Sequence, residues 1–136
     1  MGLIARVRRA RVTRERARAD RERHRTDLEY LLRWGGAHTG VEVFVEPQTM
    51  INELSVVLVD GAGSWTRRAP GGSKAVRRLG RELGVPVHDV LETGYPQRMR
   101  DNIERARIRR RKAERAALTR QLAELAARDR GETAAD

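Results

Sequence analysis

Lys74, Arg77, Arg78 and Arg81 recur at a spacing that, at about 100° per residue, gathers them on one face of a helix. Val76, Leu79, Gly80 and Leu83 fall on the opposite face, so the apolar side is expected against a sheet and the cationic side outward. With only Glu82 nearby, that cationic face suits phosphates, whose neutralisation releases counterions. A merely solvated helix surface is the competing reading. The densest cationic run is Arg107-Ile108-Arg109-Arg110-Arg111-Lys112. In a helix it wraps most of the circumference, and it reads as a contact for nucleic acid or another polyanion. Trp65-Thr66-Arg67-Arg68 sets an aromatic beside cations on a strand. There Trp65 is either a core residue or a stacking surface for an unpaired base. A period of two puts Trp65 and Arg67 on one face, so a buried Trp65 sends Arg67 to the rim or to an internal partner.

Gly71-Gly72-Ser73-Lys74 invites comparison with a phosphate-cradling loop, since free amides at a helix start together with a lysine attract anions. The full Gly-x-x-x-x-Gly-Lys-Ser/Thr spacing is absent and Ala75 follows the lysine, so a turn and helix cap is the simpler account. Catalytic groupings are poor. His24, His38 and His88 are scattered, without the i,i+4 spacing of a helical metal pair. Glu42, Glu46 and Glu53 could form a carboxylate group, but nothing in the sequence recruits them to one cleft. The chain has no cysteine, which removes thiolate chemistry and disulfides. A binding protein, not an enzyme, with no metal and no cofactor, is the expectation.

The elements that must position these residues read as follows. Residues 3–33 hold neither proline nor glycine and form one long helix, with Gly35-Gly36 expected to end it. Its apolar positions are sparse: Leu3, Val7, Ala10, Ala17, Leu28 and Leu31 follow a heptad seam that Arg14, Arg21 and His24 interrupt. Residues 41–46 alternate as a half-buried strand ended by Pro47, and residues 54–60 are a more continuous apolar run, as in a central strand. Residues 61–64 make a hairpin connection to a third strand over 64–68. Pro70-Gly71-Gly72-Ser73 stops the sheet and opens a helix with Ser73 as N-cap, ending near Gly84. A short fourth strand covers 85–90. Pro96 then opens a last helix, running to about 129 and fraying from Gly131.

Charge is sorted along the chain. Residues 1–36 carry 11 arginines against 5 acids and residues 97–136 carry 12 basic residues against 7, while the middle holds 6 against 7. The formal net charge is +10. With 136 residues and 39% of them hydrophobic, one small central core is expected. The predicted organisation is α+β: an N-terminal Arg-rich helix (1–36), a small β-β-β-α-β domain (37–96), and a C-terminal basic helix with a frayed tail (97–136). Arginine provides almost all the basic charge, Lys74 and Lys112 being the only lysines. Guanidinium suits bidentate phosphate contacts and base stacking, while a GC-rich coding bias gives the same enrichment. No stretch approaches the roughly 20 apolar residues that span a bilayer, and no signal peptide opens the chain, so a cytoplasmic protein without membrane contact is expected.

Val41-Glu42-Val43-Phe44-Val45-Glu46-Pro47, Val56-Val57-Leu58-Val59-Asp60, Trp65-Thr66-Arg67-Arg68 and Gly94-Tyr95-Pro96-Gln97-Arg98-Met99-Arg100-Asp101 form a recognisable set. Over residues 41–101 the chain resembles a group of short actinobacterial proteins that share this pattern. No established activity attaches to the group, so the resemblance implies no catalytic or binding residue. A generic oxidoreductase label found on some members has no dinucleotide or flavin signature behind it in this sequence. The expected function is nucleic-acid association through the phosphate backbone, on RNA or DNA, with an RNA-rich assembly as one setting. It would use Trp65, Arg67, Lys74, Arg77, Arg78, Arg81, Arg107, Arg109, Arg110, Arg111 and Lys112. The alternative is a coiled-coil adaptor that binds a protein partner or itself through the helical arms, with Leu118, Leu122 and Leu125 as a seam either with the first helix, antiparallel, or with another chain. The competing reading of that stripe is a cap on the small core.

Overall fold

The computed structural model describes residues 2–134. Eight elements follow in order: α1 (Leu3–Ala37), β1 (Glu42–Glu46), β2 (Ser55–Val59), β3 (Trp65–Arg68), α2 (Ser73–Leu83), β4 (Val87–Asp89), α3 (Val90–Thr93) and α4 (Gln97–Ala134). The strands form one mixed sheet in the order β3-β2-β1-β4. β2 runs antiparallel to both β1 and β3, and β4 lies parallel to β1. The expected α+β class with long flanking helices is therefore observed. The chain divides into two compact units, residues 1–99 and 100–136.

In the first unit the alternation of β1 and β2 sends side chains to two faces. Val43, Val56 and Leu58 join Leu28 and Leu31 of α1 and Val76 and Leu79 of α2 in one core. Each such side chain, fully buried, stabilises the fold by about 1.5–3 kcal/mol. Phe44, Val57 and Val59 face the other way and pack with Met99, Val90 and Tyr95. β2 is the central strand that its unbroken apolar run predicts. Val56, Val57, Leu58 and Val59 all have 0% exposure.

Several boundaries differ from the sequence-based expectation. Gly35-Gly36 does not end α1, which continues to Ala37. Gly35 is buried against Leu83 of α2, so a small residue is needed there for helix packing rather than for a stop. Ser73 is the first residue of α2 and not its cap. Gly72, at φ 101°, occupies the cap position, without any side-chain cap bond. β4 is shorter than expected because Asp89 turns the chain into α3, its side chain accepting from the Leu91 amide at 2.8 Å. That single turn of helix has no counterpart in the sequence-based expectation. α4 continues through Gly131 to Ala134, past the expected end near residue 129.

Candidate nucleic-acid interface

The second face of the sheet carries a charged network built by period two. Glu42, Phe44 and Glu46 of β1 share that face with Ser55 of β2, Trp65 and Arg67 of β3, and His88 of β4. Arg67 donates to Glu46 through Nε at 2.6 Å and Nη2 at 3.1 Å. The Ser55 hydroxyl donates to the same carboxylate at 2.8 Å, and the Tyr95 hydroxyl donates to its other oxygen. Burial opposes ionisation of Glu46, but the bonds from Arg67, Tyr95 and Ser55 outweigh it and hold its carboxyl below the usual range. Burial, then the bond to Glu46, raises the Tyr95 phenol. Arg98 donates to Glu42 at 2.7 Å and to the Asp60 carbonyl at 2.7 Å, while His88 lies 3.3 Å from Glu42. The bond from Arg98 lowers the Glu42 carboxyl, against a smaller opposing effect of burial.

Glu53 lies in the loop between β1 and β2 and is held by two residues of α1. Arg23 donates to it at 2.6 Å, and His24 Nε2 lies 2.8 Å from its other oxygen. These two bonds lower its carboxyl. The expectation that no cleft gathers the glutamates is overturned in part. Glu46 and Glu53 both line an open cleft of about 480 Å³ with Pro47, Thr49, Asn52, Ser55 and Arg67, while Glu42 does not. Each carboxylate there is already matched by a cation, so the cleft presents paired charge instead of a poised base. Among the described residues, no group of three or more histidine, cysteine or acidic side chains is placed to hold a metal ion. No described helix is long and apolar enough to cross a membrane.

The sequence-selected cations sort into two kinds. On α2 the two faces are as expected, Val76 and Leu79 buried and Lys74, Arg77, Arg78 and Arg81 exposed. Arg78 is paired with Glu82 at 2.8 Å one turn on. Lys74, Arg77 and Arg81 make no ion pair among the described residues. Arg67 is taken by Glu46, and its guanidinium also sits 5.4 Å from the centre of the Trp65 ring. Trp65 is 36% exposed, so it is not a core residue, and the Arg67 guanidinium lies over its ring. Arg68, on the other face, stacks 4.1 Å over Tyr30 of α1, whose hydroxyl bonds Thr66 at 2.9 Å.

In the second unit, Arg107 is 3.6 Å from Glu104, a solvent-exposed pair worth little. Arg109, Arg110, Arg111 and Lys112 are exposed and make no ion pair among the described residues. The first half of α1 offers a set outside the sequence-selected residues. Arg6, Arg8, Arg14, Arg16, Arg18 and Arg21 are exposed and likewise without an ion pair there. The signal is present in the imbalance of arginine over acid in residues 1–36, but no apolar face fixes which way those side chains point. Comparison with family models, curated proteins and solved structures finds no match for this chain.

Proposed function

We propose that the protein associates with nucleic acid, RNA or DNA, through sequence-independent contacts to the phosphate backbone in a cytoplasmic setting. The observation that carries this reading is the exposed series Arg109, Arg110, Arg111 and Lys112 on α4, which makes no ion pair among the described residues. Guanidinium groups held inside the protein by carboxylates cannot displace counterions from a polymer, and here the fold separates the two populations. Arg67 and Arg98 serve the sheet face, whereas the α4 series, with Lys74, Arg77 and Arg81 of α2, stays available. Contacts of this kind fix position and give little base specificity.

The test is binding to duplex DNA, single strands and structured RNA across a salt series. Affinity should fall steeply with salt. Reversing Arg109, Arg110 and Lys112 to Glu should flatten the salt slope by about one for every phosphate no longer neutralised, with the thermal melt unchanged. Absence of binding at low salt, or binding indifferent to ionic strength, rejects the proposal. A second reading, a coiled-coil assembly subunit, is favoured by a different observation: Leu118, Leu122 and Leu125 are 55%, 58% and 55% exposed on α4.

A further inference from the structure

These three leucines are spaced by four and then three residues, the interval of a heptad seam. With Leu118 and Leu125 at d and Leu122 at a, the seam extends back through Arg115, Arg111 and Ile108, and forward to Asp129. The charges on it decide orientation. In a parallel pair each seam residue meets its own copy, so Arg111 would face arginine, Arg115 arginine and Asp129 aspartate. In an antiparallel pair with its twofold axis beside residue 120, the same seam becomes complementary. Leu118 packs on the partner's Leu122, and Leu125 lies on the aliphatic stem of the partner's Arg115. The flanking Glu114 meets the partner's Arg128. Every one of these contacts occurs twice.

We propose that α4 associates with α4 of a second copy of this chain, antiparallel and in this register, so that the second copy covers the leucine stripe. This makes the assembly reading specific and does not depend on nucleic-acid binding. At 1.5 Å per residue, the two 107–112 blocks then sit at opposite ends of the pair, about 30 Å apart.

The absence of native cysteine allows a single introduced thiol to report the geometry. Gln121→Cys places that thiol beside the twofold axis, and mild oxidation of nuclease-treated protein should yield a disulfide-linked dimer. Leu125→Cys should not, since the two thiols would be about 15 Å apart along the pair. By sedimentation the cysteine-free chain should be a concentration-dependent dimer. Leu118→Gln with Leu122→Gln should weaken it about tenfold or more. Glu114→Arg should also weaken it, and adding Arg128→Glu should restore it, a rescue that a parallel pair cannot give.

A chain monomeric at every concentration overturns the inference. So does cross-linking at Leu125→Cys in place of Gln121→Cys, or a dimer that nuclease abolishes. The wider adaptor reading fails separately, if the double glutamine variant captures the same nuclease-resistant partners from lysate as the unaltered chain.

Discussion

Glu46 gathers four hydrogen bonds from three side chains, so its charge is both stabilised and needed where it sits. Glu46→Gln keeps the volume but removes the ion pair, and should lower stability by about 1–3 kcal/mol, read by denaturant unfolding. Glu42, Glu46 and Glu53 are all lowered from the ordinary carboxylate value. The stability they confer is thus complete above about pH 4.3 and drains away as pH falls through their folded values. Melting curves in increasingly acid buffer should show that loss, and the Glu46→Gln chain should show less of it. Glycines provide a contrasting pair. Gly40 has φ +67°, and a Cβ there would stand 3.1 Å from the Gly61 backbone, which cannot give way as a side chain can. Gly40→Ala should cost about 1–3 kcal/mol. Gly36 lies within α1 with nothing within 4 Å of such an atom, so Gly36→Ala should be neutral or stabilise by up to about 1 kcal/mol. Melting both variants side by side checks the sign.

Elements are legible in the sequence to the degree that one side of each is forced to be apolar. α2 is placed to within a residue because Val76 and Leu79 oppose a cationic face so sharply. β1, β2 and β3 are located to within a residue or so by alternation and by turn residues. The end of α1 is not, because the glycine that normally signals a stop is used at Gly35 to let Leu83 approach. α3 is a single turn, too short for any periodicity to register. The partners of Glu46 are illegible for another reason. Arg67 and Tyr95 lie 21 and 49 residues away along the chain, and only the sheet register and the turn into α4 bring them together. The loop between β1 and β2 also hides a feature: Met50 and Ile51 at its tip are essentially fully exposed and contribute nothing to either core.

For the molecule as a whole, the charge sorted along the sequence is sorted again by the fold. Arg67 and Arg98 are spent on carboxylates, whereas Arg109, Arg110, Arg111 and Lys112 of α4 and Arg6, Arg8, Arg14, Arg16, Arg18 and Arg21 of α1 make no ion pair among the described residues. Limited trypsin digestion should reveal this division. Cuts at residues 6–21 and 105–120 should precede any at Arg67 or Arg98, with fragments identified by mass spectrometry. Protection of the first set by added RNA or DNA would tie accessibility to binding. β2 carries a different liability. Its Val-Val-Leu-Val stretch is sealed on both faces and both edges while the sheet holds. Once heat or crowding at high expression peels a neighbouring strand away, that stretch becomes a ready template for cross-β stacking between chains. Glu53 and Asp60 bracket it, and charge at such flanking positions opposes that stacking.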